Sequence, residues 1–261
     1  MKRKVVNALL YLFFLCGAAL FLLPTAYVII SSIQTGNLLT LQPTTFSLDR
    51  YLALFFGENN FFPALLRSVW IALTTAIGAT VVAFLAGYVF AKVQFRGREI
   101  IFSCFLLLML CPYQVTIVPN YLMIRLLRLY NTDFAMILPG LFSPMMVFLL
   151  RQFIRQVDDS LCEAFRLDSG STIRMLFNVV FPCSGVGIAL VFVLAFAEAW
   201  NMVEQPLILL EDAFRYPLSV LLNRVLSGGT VLAGSVVFML PVSFLIALFH
   251  DQLTEGMAQM K

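Results

Sequence analysis

Charged side chains are spaced along this sequence so that long apolar runs separate them. After Lys4 no Asp, Glu, Lys or Arg occurs until Asp49, and comparable gaps run from Ser68 to Ala91, Ile100 to Ile124, Phe134 to Leu150, Met175 to Ala197 and Val225 to His250. A helix rises about 1.5 Å per residue and needs ~20 residues to cross ~30 Å of hydrocarbon. The runs therefore predict six membrane-spanning helices, near residues 6–30, 68–91, 100–123, 134–153, 180–199 and 229–250. The fourth run is the shortest. It spans if Arg151 snorkels, with its apolar stem in the hydrocarbon and its guanidinium at phosphate or water.

Composition agrees with this pattern. Of 261 residues 61% are hydrophobic and only 12% charged, with a mean hydropathy of +0.93, and a soluble domain of that make-up could not hide its apolar surface. The opening Met-Lys-Arg-Lys is basic like the start of a signal peptide. The apolar stretch after it is too long, and no small-residue cleavage site closes it, so a retained anchor is expected. With the N-terminus in the cytoplasm, Lys2, Arg3, Lys4, Lys92, Arg96, Arg98, Arg151, Arg155, Arg166, Arg174 and Lys261 fall inside. Arg50, Arg67, Arg125, Arg128, Arg215 and Arg224 fall outside, and eleven against six obeys the positive-inside rule with both termini cytoplasmic. The net charge of +3 follows from this bias and gives no sign of a nucleic-acid partner.

Counting removes several activities. The only lysines are Lys2, Lys4, Lys92 and Lys261, and none follows a glycine, so the chain has no P-loop for ATP. A single histidine, His250, excludes an H-E-x-x-H metal site and reads as interfacial filling at the end of a span. Cys16, Cys104, Cys111, Cys162 and Cys183 form no C-x-x-C pair and read as small core residues, with neither a disulfide framework nor a metal cluster. Gly185-Val186-Gly187 lacks the strand that a dinucleotide fingerprint requires. Gly78, Gly87, Gly170, Gly185 and Gly187 are candidates for close helix approach. The six runs hold no ionisable group of the kind that proton- or sodium-coupled transport places at membrane depth. Energy for uphill movement of a solute is therefore expected from another subunit, and neither catalytic nor metal-ligating residues are expected.

Residues 156–174 gather charge between the fourth and fifth spans, on the side assigned to the cytoplasm. Ser160-Leu161-Cys162-Glu163 has the S-x-x-E form of a capping box, which predicts a short helix beginning at Ser160 with Glu163 reaching back to the cap. Leu161, Ala164, Phe165 and Asp168 share a face by i, i+3, i+4 spacing, and Ser169-Gly170 supplies a left-handed stop. A second helical stretch from Ser171 would carry Ile173, Phe177 and Val180 past Pro182 into the fifth span.

Residues Glu163-Ala164-Phe165-Arg166-Leu167-Asp168-Ser169-Gly170 through Pro182 resemble the EAA motif of ATP-binding cassette (ABC) importer permeases. The resemblance is closest to carbohydrate importers of the maltose-type family, because it continues along the chain in order. Ser68-Val69-Trp70 through Tyr88-Val89-Phe90-Ala91-Lys92, then Phe95-Arg96-Gly97-Arg98, are similar to that family's second span and first cytoplasmic turn. Pro112-Tyr113-Gln114-Val115-Thr116, Pro119-Asn120-Tyr121, Asn131-Thr132, Leu138-Pro139 and Phe148 through Phe153 resemble its centre. Trp200-Asn201, Pro206-Leu207 and Tyr216-Pro217-Leu218 complete the series. Two positions depart from the motif: Phe165 replaces its second alanine, and Ser169 stands where glycine follows the aspartate, with glycine moved to 170.

The resemblance implies an all-α integral membrane protein, one permease domain over residues 1–261, with the six-transmembrane-helix bundle of the type I ABC importer permease fold and a cytoplasmic coupling helix. It implies a bacterial cytoplasmic-membrane location, a homologous second permease subunit, two cytoplasmic ABC ATPase subunits that hold ATP and Mg, and an extracytoplasmic solute-binding protein. The chain itself would bind no cofactor. Ser160, Leu161, Glu163, Ala164, Phe165, Leu167, Asp168 and Gly170 would dock on the ATPase.

Pro112, Pro119, Pro139, Gly140 and Pro144 interrupt the third and fourth runs, where freed carbonyls can line a wet cavity. Tyr113, Gln114, Asn120, Tyr121 and Asn201 are the candidates for a sugar path, although polar groups at such kinks also serve the backbone, and the partner permease is an alternative holder of the substrate. The outer loops, 42–62 and 200–227, mix charges such as Asp49, Arg50, Glu58, Glu204, Glu211, Asp212, Arg215 and Arg224 and suit a transient contact with the binding protein. Trp200 also reads as an interfacial anchor. The same architecture importing glycerol-phosphate is the nearest alternative. A membrane-embedded enzyme would need clustered His, Cys or carboxylates at membrane depth, and a scaffold would not need the loop helix.

Overall fold

The computed structural model describes residues 2–34, 45–57, 60–224 and 228–259. The N-terminal helices are α1 (Lys2–Ser32), α2 (Asp49–Phe56) and α3 (Phe61–Lys92). Next come α4 (Arg98–Met109), α5 (Tyr113–Leu126), α6 (Phe134–Gly140), α7 (Pro144–Arg155) and α8 (Asp159–Ser169). Helix α9 (Thr172–Met175) passes through one π-helical turn, Leu176–Val180, into α10 (Phe181–Cys183) and α11 (Gly185–Trp200). The chain finishes with α12 (Glu204–Leu209), a short 3-10 turn Ala213–Arg215, α13 (Leu218–Arg224), α14 (Gly229–Leu248) and α15 (His250–Gln259). Among the described residues the β-pairing is a single isolated bridge between Gln34 and Phe46.

Three helices are long and apolar enough to cross a bilayer unbroken: Leu10–Ser32 within α1, Phe61–Lys92 and Gly229–Leu248. The other three apolar runs are bent pairs, α4 with α5 by 103°, α6 with α7 by 44°, and Thr172–Cys183 with α11 by 79°. Proline chemistry explains two of the bends. Pro112 is extended (φ −64°, ψ 145°) ahead of α5, and Ser143 is extended (φ −125°, ψ 118°) ahead of Pro144 at the start of α7. A proline lacks an amide and disfavours helical geometry in the residue before it, while its own φ suits a first helical turn. Pro119 was expected to break the third run as well, but it stays inside α5, because loss of one i→i−4 bond kinks a helix without having to end it. The third bend was not expected. The stretch from Ser171 does not run straight past Pro182 but turns at Ser184 (φ −98°, ψ 11°) between α10 and α11.

The chain forms two compact units, Met1–Phe62 with Leu221–Leu240, and Pro63–Val220 with Pro241–Lys261. In the first, Arg50 of α2 donates to the Ser31 carbonyl, Ser32 Oγ and Tyr51 Oη are hydrogen-bonded at 2.8 Å, and Phe55 meets Phe61 edge-on at 5.3 Å. Leu12, Phe13 and Phe21 of α1 are exposed, as a lipid-facing helix requires. Of the outer-loop residues named from sequence, Glu58 lies outside the described residues.

In the second unit α3, α7 and α11 come close at glycines. A Cβ on Gly87 would stand 3.1 Å from the Arg151 amide nitrogen and 3.3 Å from the Leu150 carbonyl carbon, and one on Gly187 would meet the Phe153 ring at 2.5 Å. Gly78 likewise faces the Leu141 side chain, whereas Gly170 and Gly185 have open space and permit no close approach. Gly87→Ala presses on backbone that cannot rotate away, so it is expected to destabilise the folded chain by roughly 1–3 kcal/mol. Gly185→Ala should stay within about 0.5 kcal/mol. Thermal unfolding in detergent checks the pair, and equal midpoints would contradict the packing described here.

Arg151 does not snorkel. It is 4% exposed, its Nε donates to the Phe90 carbonyl at 3.1 Å, its Nη2 reaches both Glu99 oxygens at 2.8 Å, and its guanidinium carbon lies 3.6 Å over the Phe102 ring. Carboxylate, carbonyl and ring together satisfy the cation inside the unit, so it does not need the interface. Trp200 is not an interfacial anchor either: it is buried and stacked on Phe196 at 5.7 Å. Four cysteines, Cys16, Cys104, Cys111 and Cys183, are exposed rather than core residues, and Cys162 alone is buried.

Candidate functional site

Helix α8 starts one residue earlier than expected, and Asp158 caps it. Asp158 is extended (φ −63°, ψ 128°), and its carboxylate accepts from the Ser160 amide at 2.9 Å. The Ser160 capping box therefore does not form: the aspartate comes first in the chain and is a charged acceptor at the positive end of the helix. Glu163 is exposed and free of a capping role among the described residues. Hydrogen bonding from Ser160, with a smaller contribution from the nearby Lys92 charge, holds the Asp158 carboxyl below its ordinary range. The cap's contribution is thus complete above the unfolded aspartate value of about 3.9 and is lost as pH falls through the lower folded value. Asp158→Ala is expected to speed amide exchange in the first turn of α8 at neutral pH, and the difference from the parent should shrink as acid protonates the Asp158 carboxyl. A gap that persists in acid would contradict the charged cap.

The other end of α8 is as expected. Gly170 takes φ +61°, a left-handed conformation in which a side chain would be strained. Ser171 then caps α9, accepting from the Arg174 amide at 3.4 Å. Cys162 is the inward anchor of α8, and burial pushes its thiol up, which keeps it a neutral packing group. Phe165 is half-buried, while Ser160 and Ala164 are exposed. Leu161 is 51% and Leu167 89% exposed, and Ile173 is exposed beyond them. The side chains of Asp168 and Ser169 lie outside the described residues. An apolar surface on a short helix that buries little of itself is the form of an unfilled docking face.

Lys92 fixes this helix to the body of the unit. Lys92 Nζ, at the last residue of α3, donates to the Val157 carbonyl and to Asp159 Oδ1, the latter at 2.6 Å. Helix α8 also packs on α9 and the π-helical turn that leads into α11. Two of the unit's long helices therefore start or end beside α8.

The same helices border a cavity of about 970 Å³. Thr75 and Ala79 of α3, several residues between Leu108 and Asn120 around the α4–α5 bend, most of those between Leu138 and Met146 around the α6–α7 bend, and Ala195, Glu198, Ala199 and Met202 to Gln205 supply its walls. From Lys92 back to Ala79 is roughly 20 Å of helix at 1.5 Å per residue. The cavity thus lies about halfway along α3 from the loop helix and borders α7 and α11 as well.

Of the residues named from sequence, Tyr113 and Asn120 line the cavity, and Gln114 Nε2 stands 3.5 Å from Glu204 Oε2 on its wall. Tyr121 lies away from the lining, its hydroxyl accepting from Arg125 Nε at 2.9 Å and its ring edge-on to Tyr130. Asn201 returns its amide to the Ala197 carbonyl at 2.8 Å and is likewise outside the lining. Sequence reasoning missed Glu198. It falls one residue past the fifth apolar run, yet it sits inside α11 and faces the cavity. The expectation that carboxylates keep clear of the spanning helices therefore fails here, because a run drawn between charges stops at a carboxylate even where the helix continues past it. Among the described residues no group of His, Cys, Asp and Glu is placed to hold a metal.

Ion pairs and hydrogen bonds tie together the residues around Arg67, Arg125 and Asn131 in the second unit. Arg67 pairs with Asp133 at 3.4 Å and donates to the Phe214 carbonyl at 2.7 Å. Arg125 lies 3.9 Å over the Tyr130 ring and 3.9 Å from Glu211, and Asn131 Oδ1 accepts from the amides of Glu211 and Asp212. Ile71, Ile124, Met136 and Leu209 form the apolar cluster beneath them.

Comparison with known proteins agrees with this arrangement. The chain is similar to the arabinooligosaccharides transport system permease protein AraQ of Halalkalibacterium halodurans, 26% identical over 98% of this chain and 98% of that protein. It is similar to the sn-glycerol-3-phosphate transport system permease protein UgpE of Brucella abortus, 24% identical over 99% and 98%. Its fold is shared with a chain of a bacterial ABC transporter involved in the import of the acidic polysaccharide alginate, with a TM-score of 0.81 over 96% of both chains at 20% identity. The bundle thus has the all-helical type I ABC importer permease fold. Residues 79–259 match the model of the binding-protein-dependent transport system inner membrane component family. That match covers more than half of the chain, which therefore belongs to this family.

Proposed function

We propose that this chain is the transmembrane permease subunit of an ATP-driven, binding-protein-dependent carbohydrate importer. It works in the cytoplasmic membrane by alternating access, with both termini in the cytoplasm. The observation that carries the reading is α8: an exposed helix with apolar Leu161 and Leu167 on its surface, tied through Lys92 to the end of α3, in a unit whose α3, α7 and α11 border a cavity large enough for an oligosaccharide.

In this reading α8 seats in a cleft on one of two ABC ATPase subunits, which hold ATP and Mg. Leu161, Ala164, Phe165 and Leu167 supply apolar contact, Glu163 and Asp168 supply polar anchors, and Ser160 and Gly170 bound the helix. Closure of the ATPase pair moves α8 as a rigid body. Lys92 passes that movement to α3, and the α9–α10 segment passes it to α11, turning the cavity outward to receive solute from the binding protein. Hydrolysis resets it. A homologous second permease completes the path, so Tyr113, Gln114, Asn120, Tyr121 and Asn201 contribute one side of it. The relatives named for arabinooligosaccharides support a carbohydrate, and those named for glycerol phosphate define the alternative.

The test is uptake by proteoliposomes carrying both permeases and the ATPase, with purified binding protein and arabinotriose or glycerol-3-phosphate as the labelled solute. ATP-dependent accumulation of the saccharide is expected. Accumulation of glycerol-3-phosphate alone would favour the alternative, and accumulation by this chain without an ATPase would overturn the reading.

A further inference from the structure

The charge of the cavity wall bears on which solutes it accepts. Two carboxylates, Glu198 and Glu204, belong to the lining, and no Lys, Arg or His does. Neither is in an ion pair among the described residues, whereas Arg67, Arg125 and Arg151 are paired with Asp133, Glu211 and Glu99. Gln114 Nε2 stands 3.5 Å from Glu204 Oε2. Polar groups also border the space. Tyr113 and Asn120 line it, as does Thr75, which is 3% exposed and has a hydroxyl without a hydrogen-bond partner among the described residues.

We propose that this cavity accepts a saccharide without negative charge, neutral or amine-bearing, and rejects uronates and phosphate esters, with Glu198 and Glu204 as the discriminating pair. The proposal rests on the importer reading and adds the charge class of the solute. A carboxylate accepts hydrogen bonds from sugar hydroxyls and from an ammonium group, and the exposed Tyr113 ring beside them suits the apolar face of a sugar. An anionic solute meets two like charges in a partly enclosed space of low dielectric, with no cation on this wall to offset them. The volume, about 970 Å³, is at the upper end of the roughly 300–1,000 Å³ typical of small-molecule sites, which suits an oligosaccharide.

Cys111, exposed and on the cavity wall, is a native reporter. In the complete complex in proteoliposomes, its modification by a cationic (trimethylammonium) and an anionic (sulfonate) methanethiosulfonate is followed by mass spectrometry of its peptide. The cation-to-anion rate ratio is expected to exceed that of free 2-mercaptoethanol by about tenfold and to fall to near unity in Glu198→Gln/Glu204→Gln. Arabinotriose and a glucosamine trimer should slow labelling by a neutral reagent, and trigalacturonate should not. A parent ratio equal to that of the free thiol, or protection by trigalacturonate as strong as by arabinotriose, would overturn the proposal. Failure of the importer reading shows separately, as absent ATP-dependent arabinotriose uptake in the same vesicles with the charge ratio intact.

Discussion

Replacing Leu167 with aspartate is expected to abolish ATP-driven uptake and to weaken retention of the ATPase subunit on the order of 10- to 100-fold, with the membrane bundle still folded. The side chain is 89% exposed, so the substitution removes no contact within the chain and should shift its own stability by less than about 0.5 kcal/mol. Docking is different. Burying a leucine contributes about 1.5–3 kcal/mol, and a carboxylate carried into the same cleft would be unpaired. Each 1.4 kcal/mol is about tenfold in affinity, which sets the range. Glu163→Lys should act in the same direction through the polar anchor. Gly170→Pro should act through geometry, because proline is fixed near φ −65° and Gly170 holds φ +61°. Copurification of the ATPase subunit, beside uptake and the thermal midpoint of the permease, separates docking from folding. Unchanged retention in all three variants would sink the docking role.

The second large effect is on stability. Arg151→Ala is expected to destabilise the second unit by about 2–4 kcal/mol, because it empties a packed site and removes hydrogen bonds to a carbonyl and a carboxylate together with a cation–π contact. Loss of one partner of a fully buried pair reaches about 3–5 kcal/mol, since the other charge is stranded. Glu99 is 62% exposed on its side chain and regains water when the arginine goes, which keeps the expected value toward the lower part of the range. Arg151→Lys should recover less than half, because an ammonium cannot bond both Glu99 oxygens, reach the Phe90 carbonyl and stack on Phe102 at once. Chemical or thermal unfolding of the solubilised permease measures it. A lysine variant as stable as the parent would show that charge alone suffices there.

Arg151 also shows where sequence reading reaches its limit. The spacing of charges was enough to place six apolar runs, since bilayer thickness makes length decisive. It could not reveal whether a charge at the end of a run turns outward to the interface or inward to a partner. That depends on Phe90, Glu99 and Phe102, which lie about fifty residues away along the chain. Pro112 and Pro144 were readable as breaks because proline's missing amide acts locally. The turn at Ser184 was not, because nothing in Cys183-Ser184-Gly185 forbids a straight helix.

The loop over residues 156–174 followed the same rule. Its helix and its glycine stop are local chemistry and were legible, whereas the choice of Asp158 over Ser160 as cap turns on one backbone conformation at Asp158. The tether from Lys92 to Val157 and Asp159 joins residues far apart in sequence and leaves no periodic trace. Glu198 was overlooked for a different reason: defining a span as a gap between charges makes a carboxylate on the cavity wall look like a boundary.

The central claim is that α8 is the contact through which a separate ATPase drives this bundle. The most direct measurement is cross-linking in membranes of the assembled transporter, using Leu167→Cys and a panel of cysteines on the cleft of the ATPase subunit. The account predicts a disulfide or short-linker adduct between the two chains whose yield changes between the nucleotide-free and ATP-bound states, together with transport arrested by the link. An α8 cysteine that forms no adduct with the ATPase in any nucleotide state, while the transporter still imports solute, would contradict it.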